Sequence, residues 1–368
     1  MKITVGRPRA SLHPDGQPFI QSAMTNGLLA VSVLDLVGLR AGESTSSAIA
    51  RSVDLARIVE QLGYRRYWLA EHHSIAGLAC SATPVLIGHI AGATQTIRVG
   101  SGGVMLPNHA PLIVAEEFGT LDALYPGRID LGLGRAPGGD LQTMQALRRA
   151  LHQDGDDFPA LLQELQDYLG PEGPGQVVKA IPGQGSRVPI TLLGSSVFSA
   201  QLAAELGLPF AFAAHFAPQY LHAAAELYQT SFQPSEVLRK PYLMVAVAVI
   251  AAETDAIAQR LFTTPQQRFL RLLRNQPVEL VPPVDSMQSL WRSGEREAVQ
   301  SRLSEAIVGS EATVKAGMAR VTKETGADEL IVVTDLYEHG DRIESYRRVA
   351  RAADAIGLTM APVGVERR

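Results

Sequence analysis

The chain has 368 residues, 46% of them hydrophobic and 19% charged, with a net charge of −4. That balance can fill a large buried core and offers no basic footprint for nucleic acid or another polyanion. A single cysteine, Cys80, excludes an intrachain disulfide and a cysteine-built metal cluster, and suits a reducing cytoplasm.

Residues 1–25 mix prolines and polar residues without a continuous apolar run, so they read as a loose extension rather than a signal peptide. Met24, just ahead of the first strand, is a candidate alternative start. From 26 to 368 one domain is expected. The longest apolar run, "LMVAVAVIAA" at 243–252, is well short of the roughly 20 residues that cross a bilayer.

From Leu28 the chain alternates strand and helix. "LLAVSVLDL" reads as a buried strand, and Ile49, Val53, Ala56, Val59 and Leu62 recur at helical spacing up to a stop at Gly63. Then come strand "RYWLAE", a helix opening at Thr83-Pro84, strand "IRVGSGGVML", a helix from Asn108 to Leu124, and strand "IDLGLG". The second half gives strand "PITLLG", helix "SAQLAAEL", strand "PFAFAA", a helix near 218–231, strand "YLMVAVAVIAA" and a helix near 254–273. "DELIVVTDL" and "RIESYRRVARAADAI" complete the series. Nearly continuous apolar strands fit a parallel sheet covered on both faces.

Eight such units are the count of an α/β (β/α)8 TIM barrel, whose catalytic groups gather on the loops after the strands. An open doubly wound sheet has the same local pattern and is the rival architecture. Two stretches interrupt the beat: 136–188 after strand 4, and 274–310 before strand 8. The second carries Met287, Leu290 and Trp291 and is a candidate lid.

Several stretches could carry chemistry. "LGLGRAPGG" fails the dinucleotide fingerprint because Pro137 stands where the third glycine is needed, but Arg135 at a strand end could clamp a phosphate or serve a surface ion pair. Gly194, Ser195, Ser196 and Ser199 lie where a strand becomes a helix, which suits either a phosphate or simple helix capping. No serine-hydrolase elbow is present. Gly100, Gly102 and Gly103 within one strand mark either a bend in a closing barrel or the close approach of something flat. In "EHH", strand alternation would send His72 and His73 to opposite faces, so a shared metal is disfavoured and no metal is expected. His215 ends another strand and belongs to the same rim, whereas His89 and His109 are taken as structural.

With these pieces in place, the chain resembles the bacterial luciferase-like flavin monooxygenases, in their alkanal monooxygenase-like branch. The resemblance rests on "YWLAEHHS", "VGSGGVMLPNHAPLIVAEEFGTLDALYPGRIDLGLGRAPG", "LLGSSVFSAQLAAELGLPFAFAAHFAP" and "GADELIVVTDLYEH", which span about residues 28 to 355. It implies a barrel that binds reduced FMN, supplied by a separate reductase, and uses O2 through a C4a-peroxyflavin to oxygenate a small organic substrate. His72 is implied to assist the oxygen chemistry, with Glu71 and His73 holding nearby groups. Arg135, Gly194, Ser195, Ser196 and Ser199 are implied to hold the flavin phosphate. Gly102, Gly103, Met105 and His215 are implied to line the flavin, with a non-prolyl cis peptide at Gly102-Gly103. A cytoplasmic homodimer is implied as well. Gly134 stands where luciferase has a reactive cysteine, so light emission and long-chain aldehyde specificity do not carry over. The alternatives are an F420-dependent hydride-transfer enzyme of the same fold, or a non-catalytic flavin-binding partner subunit.

Overall fold

The computed structural model describes residues 30–136, 141–147, 157–186 and 188–356. The expected N-terminal extension and Met24 lie outside the described residues, as do Pro137 and the C-terminal end of the expected domain.

Nine strands form among the described residues: β1 (Ala30–Asp35), β2 (Arg66–Leu69), β3 (Arg98–Met105), β4 (Ile129–Gly134), β5 (Ile190–Gly194), β6 (Phe210–Ala213), β7 (Leu243–Ala251), β8 (Ile307–Gly309) and β9 (Glu329–Val333). Eight of them close into a parallel barrel in the order β1-β2-β3-β4-β5-β6-β7-β9, with β9 returning to β1. Closure decides between the two architectures left open by the strand-helix pattern. β1 is buried along its whole length, as is β4, because side chains inside the barrel and helices outside it cover both faces.

The helices outside are α1 (Thr45–Gln61), α2 (Thr83–Ala93), α3 (Pro111–Leu124), α4 (Leu141–Ala146), α5 (Phe158–Leu169), α6 (Val197–Leu206), α7 (Leu221–Ser231), α8 (Asp255–Leu273), α9 (Glu295–Arg302), α10 (Glu311–Thr325) and α11 (His339–Asp354). α3 starts three residues later than the sequence suggests. Residues 106–108 form a 3-10 turn, and Pro111 takes the first helical position, where its missing N–H costs nothing. No helix among the described residues is long and apolar enough to cross a membrane.

β8 and α9 were not legible as a strand-helix unit. β8 pairs only with the far end of β7, Val249 to Ile307, and so extends β7 beyond the barrel wall. With α8, α9 and the chain between them it builds a second small core of Ile250, Leu261, Phe262, Leu270, Met287, Val299 and Leu303. The 274–310 stretch is therefore packed on its own apolar base. It is also tied to the rim: Val278 N–H donates to Ala76 O at 2.9 Å, Leu280 N–H to Leu39 O at 2.8 Å, and Ala41 N–H to Leu280 O at 2.9 Å.

The barrel floor is ionic. Arg66, at the start of β2, donates to Glu329 at 2.9 Å and to Asp130 at 2.7 Å, and Arg98 reaches Asp130 at 2.6 Å. Ser32 and Tyr242 hydroxyls donate to Glu329 at 2.5 and 2.6 Å, and Trp68 Nε1 to Asp130 at 3.2 Å. Burial opposes ionisation of both carboxyls, but Arg66 together with Arg98 at Asp130, and with Arg65, Ser32 and Tyr242 at Glu329, outweighs it and holds both below the usual carboxylate range.

Candidate functional site

The parallel strands all end on one rim, and the sequence-derived site residues fall there: Glu71 to His73 just past β2, Met105 at the end of β3, Arg135 past β4, Gly194 to Ser196 after β5, and His215 past β6. Because β2 stops at Leu69, "EHH" is not strand, and the alternation argument for separating His72 from His73 does not apply. They part for another reason: each is claimed by a different set of neighbours.

His73 turns to Glu71. Its Nε2 lies 2.8 Å from Glu71 Oε1, His109 Nε2 lies 2.9 Å from the same oxygen, and the Met105 N–H donates to Oε2 at 3.1 Å. Glu71 is buried, which opposes its charge, but the bonds from His109, His73 and Met105 outweigh burial and lower its pKa. His109 is raised in turn, since its bond to Glu71 and that carboxylate's charge exceed the cost of burial. His109 was read as structural, yet it belongs to this group; the usable signal was its place in "PNH", immediately after a barrel strand. Glu71, His73 and His109 present ligand atoms all within 4.8 Å of one another, a carboxylate-histidine group that the sequence reading did not anticipate. Hydrogen bonding to Glu71 occupies the Nε2 atom of both histidines. His89, by contrast, is exposed on α2.

His72 faces Arg268 and His215 electrostatically. Burial, followed by the positive charge of Arg268 and then His215, pulls its pKa down to about 4, so its imidazole is neutral at pH 7. His215 is lowered by burial as well, and among the described residues its buried Nδ1 has no hydrogen-bond partner. Arg268 reaches the mouth from α8 and pairs with Asp335, just after β9, at 2.5 Å. Nothing in local sequence marked it, because it sits mid-helix, far from any strand end.

On the opposite side, the Arg135 guanidinium stacks over the Phe198 ring at 4.1 Å, which fixes it beside the first turn of α6. Ser196 occupies the N-cap of that helix with extended backbone, but its hydroxyl accepts no capping bond. The capping explanation of this serine therefore fails, and the first-turn N–H groups remain available to an acceptor. Ser199 is buried and packs against β5: a Cβ on Gly194 would lie 2.6 Å from its own Cβ.

The β3 glycines answer to the protein itself. A Cβ at Gly100 would lie 2.4 Å from Asp130 O, at Gly102 2.8 Å from Leu34 Cδ1, and at Gly103 2.7 Å from Gly132 O. The Gly102-Gly103 peptide is cis, and the register of β3 against β4 shifts between Ser101 and Val104. Met105 packs its sulfur over Gly134, where a Cβ would come within 2.8 Å.

The luciferase-like monooxygenase family model matches residues 29–347, and the chain belongs to that family. It is 55% identical over 321 residues to an uncharacterised Bacillus subtilis protein, covering 87% of this chain and 95% of that one. It is 50% identical over 323 residues to an Escherichia coli luciferase-like monooxygenase, covering 88% and 96%. A Bacillus subtilis N-acetyl-S-alkylcysteine monooxygenase is 32% identical over 321 residues, 85% and 91% of the two chains. Among solved structures, apo-MsnO8 superposes with a TM-score of 0.79 at 36% identity, covering 90% of this chain and 99% of that one. The FMN-bound oxygenating constituent of 3,6-diketocamphane monooxygenase from Pseudomonas putida shares the fold, with a TM-score of 0.70 at 18% identity over 91% and 99%.

Proposed function

We propose that the protein is an FMN-dependent monooxygenase that takes reduced FMN from a separate reductase and inserts one oxygen atom of O2 into a small organic substrate. The observation that carries this reading is the pairing, across one rim, of an anion cradle with a neutral imidazole. Arg135 stacked on Phe198, with Ser195, Ser196 and the open first turn of α6, fits a phosphate. Ser199 supports the cradle by packing α6 onto Gly194. Gly102, Gly103, Met105 and His215 would line the ring system that extends from that phosphate toward His72.

Bound reduced FMN would supply the activation of O2 at its C4a carbon; the protein supplies placement, exclusion of water and control of protons. His72, neutral near pH 7, can accept a proton at its free nitrogen or hold a hydrogen-bond donor at the reacting atoms. Glu71 fixes His73, His109 and the Met105 backbone as one unit. The 274–310 segment, strapped over the loops after β1 and β2, serves as the lid that keeps water out during turnover.

A cytoplasmic homodimer completes the reading. Val85 on α2 and Ile113 and Leu124 on α3 are large apolar side chains left 72%, 48% and 62% exposed on adjacent helices, a face suited to a second copy. Titration of the protein with reduced FMN and with F420 tests the cofactor. Tight FMN binding, together with oxygenated product from a substrate panel run with a flavin reductase, is the expected result. F420 binding without FMN binding would turn the assignment to hydride transfer. Hydrogen peroxide as the only product with every substrate would point to a silent flavin-binding subunit.

A further inference from the structure

Four arginines are buried among the described residues, and three of them have no buried nitrogen without a partner. Arg66 is shared between Glu329 and Asp130. Arg51 bonds both oxygens of Glu43 and the Gly38 carbonyl. Arg342 bonds Asp35 and the Thr334 carbonyl. Arg268 differs: its side chain is only 8% exposed, Nη1 is held by Asp335, and Nη2 is buried with no acceptor among the described residues. Buried guanidinium N–H groups are normally matched with acceptors, so Nη2 is a donor that can take an acceptor from a ligand.

The location agrees with that reading. Arg268 carries the largest charge influence felt by His72, and His215, whose Nδ1 is also open, is the next. Asp335 pairs with Nη1 only, which leaves Nη2 as the donor of this guanidinium without a protein acceptor among the described residues. Gly38 lies against the same spot: a Cβ there would touch Leu280 at 3.4 Å and Arg268 Nη1 at 3.5 Å. Leu280 belongs to the strap tied to the rim, so opening the strap would uncover the guanidinium and closing it would seal whatever it holds.

We propose that Arg268 is the substrate anchor of this site, that it binds a carboxylate through its open Nη2, and that the preferred substrates are therefore small organic acids. The acid end sits under Leu280 beside α8, and the end to be oxygenated points across the mouth toward His72 and the flavin. His215 Nδ1 takes a polar group between the two ends. A guanidinium suits this role because it stays charged and presents its donors in a fixed plane. The inference rests on the flavin-oxygenase reading of the site and adds the substrate class to it.

The test uses the full chain, with and without FMN, and matched probes: butyrate, octanoate, benzoate and N-acetylmethionine, each against its methyl ester. Binding is followed by calorimetry. At least one acid is expected to bind, with its ester weaker by about tenfold or more, the loss that follows from removing a charge-assisted hydrogen bond. Arg268→Gln should erase the preference for acid over ester while FMN affinity stays within about twofold, and Arg268→Lys should restore part of the preference. Acids and esters binding alike, no acid binding at all, or an intact preference in Arg268→Gln each overturns the proposal. So does a loss of FMN affinity in Arg268→Gln, which would make the arginine a cofactor contact. If Arg268→Gln fails to fold because Asp335 is stranded, the wild-type comparison and Arg268→Lys still decide. Failure of FMN to bind the wild-type protein, with the acid preference present, refutes the flavin reading and leaves the anchor standing.

Discussion

At the floor of the barrel, Arg66 is shared by Glu329 and Asp130, and each carboxylate takes further bonds from Arg98, Ser32, Tyr242 or Trp68. At the mouth, Arg268 has Asp335 alone, His215 Nδ1 has no partner among the described residues, and the α6 N-terminus lacks a side-chain cap. Both ends bury charge, but at the mouth the completed Glu71 set sits beside donors that have no protein partner among the described residues. A closed set of bonds fixes strand register and resists change, whereas an open set stores binding capacity. The difference follows the fold: strand starts meet at one end, where packing can close over them, and the loops after the strands meet at the other.

The largest expected effect comes from breaking the floor. Arg66→Met leaves Glu329 and Asp130 buried without their shared cation and should cost about 3–5 kcal/mol of stability. Urea unfolding monitored by tryptophan fluorescence reads that loss, and a change below about 1 kcal/mol would mean the floor is not the stabilising end. Changing the mouth should do the reverse. His72→Ala is expected to slow oxygen-dependent turnover by about 10²–10⁴-fold with little change in the thermal midpoint, since His72 is only half-buried. Turnover equal to wild type would remove His72 from the chemistry.

A smaller effect belongs to the cradle. Arg135→Ala should weaken FMN binding by about ten- to a hundredfold, the value of a charge-assisted bond of about 1.5–3 kcal/mol, with little change in unfolding. Unchanged FMN affinity in a fluorescence-quenching titration would move the phosphate elsewhere. Ser196→Ala should cost less, because a neutral hydroxyl gives a phosphate a weaker hydrogen bond than a guanidinium does.

The subtlest distinction is in pH. His72 has a folded pKa of about 4, below its ordinary value of 6.5, so the unfolded chain binds the extra proton first as pH falls. Stability should therefore decline from about pH 6.5 toward 4 because of the mouth, and His72→Ala should flatten that part of the curve. The floor carboxyls are lowered too, so their contribution is present above the unfolded carboxylate range and is lost only at more acid pH. Two separate limbs in a stability–pH curve are expected, and a single limb unaffected by His72→Ala would erase the distinction.

Much of this molecule is written locally. Apolar runs such as "AVSVLD" and "IDLGLG" became β1 and β4 because covered parallel strands need apolar residues on both faces. Gly63 adopts positive φ just beyond α1, where glycine does so without a Cβ clash. Strand ends then named most rim residues, since in a barrel the end of every strand is on the same side. The sequence could not place His109 against Glu71, Phe198 under Arg135, or Arg268 within electrostatic reach of His72, because each pairing joins segments separated by tens to hundreds of residues. β8 escaped notice for a similar reason: three residues have too little periodicity to read, and they form a strand only because β7 overruns the barrel wall. Composition and periodicity thus determined which segments are strands and where the chemistry-bearing residues fall along them. Closure of the barrel, the sharing of charge at its floor and the open valences at its mouth were decided by the tertiary structure, which alone sets the distances on which hydrogen bonds and electrostatics depend.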